Sequence, residues 1–65
     1  MDIDEKILEL IKEEPRTPTE IANILGMNHV SVIKRLLKMQ IRDKRIRSKK
    51  IGRYEIFWYS THEEN

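Results

Sequence analysis

Lys34, Arg35, Lys38 and Arg42 recur at the spacing that lines one arc of an α-helix. A row of ammonium and guanidinium groups of this kind is chemistry for phosphate. Asn28, His29 and Ser31 precede it, short polar side chains that can donate to or accept from base edges. A second basic cluster, Arg47, Lys49, Lys50 and Arg53, surrounds Gly52. Other chemistry is thin. His29 and His62 are the only histidines and there is no cysteine, whereas a structural metal site needs about four ligands at suitable spacing. No glycine-rich phosphate loop is present, nor a serine, histidine and acid set that the expected fold would unite. The Glu13-Glu14 pair reads as a solvated helix end. No catalytic residue, metal ligand or cofactor is therefore expected, and the chain is not expected to be an enzyme.

The net charge of +2 hides a steep polarity. Through Gly26 seven acids face three bases, whereas from Met27 to Arg53 ten bases face Asp43 alone. Tyr54 onward adds Glu55, Glu63 and Glu64. A chain so divided can turn one positive face to a polyanion while the opposite face repels it.

At 65 residues the chain has room for one domain near the lower end of what folds on a single core. Without cysteine, disulfides cannot supplement that core. Its apolar runs fall far short of the roughly 20 residues needed to span a bilayer, and the acidic start MDIDEK does not read as a secretory or mitochondrial signal. A cytoplasmic, nucleoid-associated location with no membrane or small-molecule partner is expected.

The elements that must position these groups follow from caps and periodicity. Asp2 with Glu5 forms a first capping box, and Ile3, Ile7, Leu10 and Ile11 fall on one stripe until Pro15 disfavours helix at Glu14. Arg16 and Thr17 read as an extended connector or very short strand. Thr17 with Glu20 forms a second capping box, with Pro18 at the first helical position. The second helix runs to Leu25, and Ile21, Ala22 and Leu25 are expected to pack on the first. Gly26 supplies a positive-φ stop, and Asn28 caps the third helix. There Val32, Ile33, Leu36, Leu37 and Met39 share an apolar arc edged by Val30 and Ile41, opposite the cationic one. After an Asp43-Lys44 turn, residues 45–49 alternate as a strand, Ile51-Gly52-Arg53 turns, and residues 54–59 form a second, aromatic strand. Ile56 and Trp58 are taken as its buried side, leaving Phe57 and Tyr59 partly exposed. The fold class is mainly α with a β-hairpin.

TPTEIANILGM, the basic amphipathic helix after it, and RIRSKKIGRYEIFWY together resemble the winged helix-turn-helix family of DNA-binding domains. The resemblance runs from Ile3 to Tyr59, within a domain spanning residues 1–60 and a short polar tail, 61–65. It is similar to small bacterial, archaeal, viral or plasmid transcription regulators. The family implies a third helix in the major groove and a wing near phosphates or the minor groove. Recognition positions carry over to Ser31, Lys34, Arg35 and Lys38, and wing positions to Lys49, Lys50 and Arg53. Asn28, His29 and Arg42 extend the first set, Arg47 the second, and Thr17 and Thr19 stand as phosphate contacts at the second helix's N-terminus. The chain departs from the pattern at Asp43-Lys44, where many members carry glycine, and at Val30, where a polar residue is common.

Sequence-specific duplex binding by a transcriptional regulator is the leading expectation. A protein-interaction module docking through Phe57 and Tyr59 is one alternative. RNA or single-strand binding, with Tyr54, Trp58 or Tyr59 stacking on bases, is another. One helix and one wing make a small footprint, so a homodimer through the first helix or the outer face of the last strand is expected.

Overall fold

The computed structural model describes residues 1–61. Its order is α1 (Ile3–Glu13), α2 (Pro18–Leu25), α3 (His29–Arg42), β1 (Ile46–Ile51) and β2 (Tyr54–Tyr59). This is the layout of a winged helix. The polar tail is described only as far as Thr61, and His62 to Asn65 lie outside the described residues.

Each helix starts where its cap places it. The Glu5 amide donates to Asp2 Oδ1 at 2.8 Å while Glu5 Oε1 accepts from the Asp2 amide at 3.3 Å. Thr17 and Glu20 make the same reciprocal exchange, at 3.2 and 2.9 Å. The Val30 amide donates to Asn28 Oδ1 at 2.8 Å. Two otherwise orphaned amides are satisfied in each box and one at Asn28. α2 ends on Gly26 at φ 66°, where the Met27 amide reaches back to the Ala22 carbonyl at 2.9 Å. The short glycine turn sets α2 beside α3, so α2 packs principally on α3 rather than on α1, as had been expected for Ile21, Ala22 and Leu25. Its link to α1 is the shared core, in which Ile7 and Ile11 meet Ile21, Ala22, Val32 and Leu36.

Ile46 and Phe57 complete that core. The antiparallel register pairs Ile46 with Tyr59 and Ser48 with Phe57, so Ile46, Phe57 and Tyr59 share one face. Burial of Ile46 and Phe57 marks this face as the inward one, and Arg16 forms a backbone bridge with Phe57 along the other edge of β2. The Arg16 amide donates to the Phe57 carbonyl at 2.9 Å, and the Phe57 amide to that of Arg16 at 2.8 Å. The expected orientation of the second strand is therefore reversed. Phe57 is 0% exposed, and Tyr59 is half-buried against the core. Tyr54, Ile56 and Trp58 lie on the outer face.

Three further ties were not read from the sequence. The Arg16 side chain, largely buried, donates from Nε to the Leu10 carbonyl at 3.0 Å and pairs with Glu13 at 2.9 Å and Glu14 at 3.8 Å. It thus caps α1 with positive charge at the negative end of the helix dipole. Gln40 donates to Ser48 Oγ at 3.0 Å and pins β1 to α3. Lys12 Nζ sits 5.0 Å from the centre of the Tyr59 ring and holds the end of β2 on α1, while Arg45, just before β1, donates to the Tyr59 hydroxyl at 3.4 Å.

Asp43 explains the missing glycine after α3. Its φ of −132° is extended backbone, and its Oδ1 accepts from the Arg45 amide at 3.0 Å. The aspartate side chain supports the turn, so no positive-φ residue is needed there. β1 is longer than the expected 45–49 span, and the hairpin closes on Gly52 and Arg53 alone, with Gly52 at φ 61°. Glycine first in a two-residue loop suits the type II′ pattern, whose twist matches the strands.

Candidate nucleic-acid interface

α3 buries Val32 and Leu36 and turns Ser31, Lys34, Arg35, Lys38 and Arg42 outward. These five line one shallow groove with Met39 and Asp4 of α1. Among the described residues Lys34, Lys38 and Arg42 have no ion-pair partner, whereas Arg35 donates from Nη1 to Asp4 Oδ1 at 2.9 Å. Every ion pair among the described residues involves an acid of α1 or the residue following it. These acids thus engage Arg16 and one cation of α3, leaving Lys34, Lys38 and Arg42 without an ion-pair partner among the described residues.

A second groove joins three segments distant in sequence. Thr17, Pro18 and Thr19 at the start of α2, His29 and Ile33 on α3, and Lys50, Arg53, Tyr54 and Glu55 of the hairpin line it. Five expected contact residues, Thr17, Thr19, His29, Lys50 and Arg53, therefore meet there. Tyr54, expected only as a stacking ring for single strands, joins them, and Pro18, Ile33 and Glu55 complete the lining. Residue alternation in the hairpin separates the wing set. Lys50 shares the inward face with Phe57, while Arg47 and Lys49 lie opposite Trp58 and Ile56 on the outer face.

Besides Arg35, two further expected contacts have prior engagements. Asn28 Oδ1 already accepts its cap bond from the Val30 amide, which leaves the side-chain nitrogen and one oxygen lone pair to meet a base. The Thr17 hydroxyl donates to Glu20 Oε1 at 3.1 Å and its amide to the same oxygen. Those bonds hold the Glu20 carboxyl below its ordinary pKa, and the nearby Arg16 charge adds to the effect. A carboxylate at the α2 N-terminus already occupies the place expected for a phosphate, and Thr19 remains the exposed hydroxyl there.

The apolar arc of α3 is wider than the surface it buries. Leu37 was expected inward but is exposed, as are Val30 and Ile41. Core contact in α3 centres on Val32 and Leu36, and Leu37 lies about 100° beyond Leu36 around the axis.

No buried side-chain nitrogen or oxygen among the described residues lacks a hydrogen-bond partner. No group of three or more metal-binding side chains converges among them. No helix among them is long and apolar enough to cross a membrane. The chemistry available is that of a surface: unpaired cations, a few polar tips and exposed aliphatics. No family model, curated protein or solved structure matches this chain.

Proposed function

We propose that this chain is a winged helix-turn-helix DNA-binding domain acting as a non-enzymatic transcription regulator. α3 enters the major groove of duplex DNA, and the hairpin tip lies on the backbone or in the adjacent minor groove. The observation that carries this reading is the unpaired row Lys34, Lys38 and Arg42 on a helix stabilised from behind by its core. An exposed helix usually mixes signs and gains from pairs four residues apart, but α3 has no acid. Ser31, Lys34 and Arg35 are the candidate base-edge contacts. Lys38, Arg42, Lys50 and Arg53 supply phosphate contacts, which set affinity without reading sequence. Cytoplasmic, nucleoid-associated location and homodimerisation on DNA belong to the same proposal.

Fluorescence anisotropy with a labelled duplex tests it. The wild-type chain is expected to bind at about 50 mM salt, and the Lys34→Ala/Lys38→Ala/Arg42→Ala variant to bind at least a hundredfold more weakly, on the scale expected from losing several counterion-releasing contacts. Absence of duplex binding by the wild type at that salt would reject it.

A second reading is favoured by the outer hairpin face. Tyr54 is 65% exposed there, on the same face as Trp58, Arg47 and Lys49. Aromatic rings interleaved with cations are how single strands are held by stacking. Competition of unlabelled single strands against a bound duplex separates the two readings. The burial of Phe57 and the anchoring of Tyr59 remove the surface on which protein docking had been expected.

A further inference from the structure

The most outward ridge of α3 is not purely cationic. Val32 and Leu36 mark the buried direction. At 100° per residue Lys34 lies opposite their mean, with Ile41, Val30 and Lys38 within about 40° of it and Leu37 within about 60°. Val30 is 46% exposed, Leu37 47% and Ile41 73%. Aliphatic side chains thus stand beside lysines on the part of the helix farthest from the core.

A second copy of the chain is a poor occupant of this ridge. Pairing α3 with α3 would bring Lys34, Lys38 and Arg42 against their equivalents with no acid on either helix to offset them. The major groove of duplex DNA meets both chemistries at once. Its walls are phosphates, and its floor offers purine acceptors together with the C5-methyl groups of thymine. Lysine pairs with guanine O6 and N7, and apolar side chains contact the thymine methyl.

Given the groove-binding reading of α3, we propose that Val30 and Leu37 read thymine C5-methyl groups flanking the base pair contacted by Lys34. Val30 precedes Lys34 by one helical turn and Leu37 follows it by nearly one. Seven residues at 1.5 Å each separate Val30 from Leu37 by about 10 Å, roughly three base-pair steps at 3.4 Å. Ile41 lies another turn on, toward the end of the helix, where side chains meet the backbone rather than the base edges. The substrate class is therefore a duplex with thymines placed about three steps apart around a central purine contact.

The test begins with duplex fragments recovered from a random pool by the wild-type chain. Each thymine of the recovered site is then replaced in turn by uracil, which removes only the methyl group. Two replacements are expected to weaken binding about fourfold each, the transfer value of one buried carbon. Val30→Ala should abolish the penalty at one position and Leu37→Ala at the other, while Ile41→Ala keeps both. All three sites are exposed and alanine favours helix, and circular dichroism verifies that each variant is folded. 5-Methylcytosine at either position should restore part of the affinity lost with unmethylated cytosine. Equal binding of the thymine and uracil duplexes would overturn this inference and leave duplex recognition standing. So would variants that weaken both duplexes alike while converting a dimer to a monomer in sedimentation, which would assign the ridge to a copy-to-copy interface. Failure to recover any duplex would reject the groove-binding reading itself.

Discussion

Arg35 and Asp4, 31 residues apart in the chain, are joined by a 2.9 Å bond that ties α3 to the first turn of α1. Both side chains are close to half exposed, so the pair contributes about 0–1 kcal/mol to stability. Its larger effect is on the interface, where an acid neutralises one cation of the basic row. Asp4→Asn is expected to leave unfolding free energy within about 1 kcal/mol of wild type and to tighten duplex binding several-fold. Anisotropy at fixed salt and urea denaturation measure the two. Weaker binding by the folded variant would mean that Asp4 positions Arg35 for contact instead of withholding it.

Phe57 and Ile56 provide the sharpest stability contrast. Phe57 is fully buried at the centre of the core, while Ile56 is half-buried on the outer face. Phe57→Ala should cost about 3–5 kcal/mol, enough to unfold a domain whose total stability is on the order of 5 kcal/mol. Ile56→Ala should cost about 1 kcal/mol. Thermal melts followed by circular dichroism distinguish them, and equal losses would contradict the strand orientation.

That orientation shows where the sequence was legible and where it was not. Caps and breakers are local, so Asp2-Glu5, Thr17-Glu20, Gly26 and Asn28 located the helices, and the bounds of α1 and α2 match. The hairpin depended on turn length. A three-residue turn at Ile51-Gly52-Arg53 sets Ile46 opposite Trp58 and turns Ile56 and Trp58 inward. The actual two-residue turn shifts the register by one, sets Ile46 opposite Tyr59, and reverses every side chain of β2. The basic row on α3 was readable from spacing alone. The Asp4–Arg35 pair and the Arg16–Phe57 bridge were not, because they join segments tens of residues apart and leave no periodic trace. Leu37 stays exposed because a compact core covers less of a helix than its apolar residues could fill.

Glu20 links the start of α2 to pH. Hydrogen bonds from the Thr17 amide and hydroxyl, with the Arg16 charge, lower its folded pKa. A depressed carboxyl binds its proton less readily in the folded state than in the unfolded one. Its stabilising contribution is therefore fully present above the unfolded pKa and is lost as pH falls through the folded pKa. Wild type and Glu20→Gln should differ most in melting temperature near neutral pH and converge in acid, below the ordinary carboxylate range. A difference that stays constant with pH would contradict the capping role.

The two faces of the wing should behave differently. Lys50 lines the groove beside α2, and Lys49 points to the outer face opposite Ile56. Lys50→Ala should weaken duplex binding by about 1 kcal/mol for all sequences alike, and Lys49→Ala by less. Single-strand binding, if carried by the outer face, should show the reverse order. Parallel titrations of duplex and single-strand probes with both variants read this directly.

Salt dependence of duplex affinity tests the central claim most directly. Neutralising roughly five to eight phosphates gives a slope of about −4.5 to −7 in log K against log salt. Affinity should then fall roughly 500- to 16,000-fold between 50 and 200 mM. The Lys38→Ala and Arg42→Ala variants should each reduce the slope by about one. A wild-type slope near zero, or one unchanged in both variants, would contradict the placement of α3 on DNA.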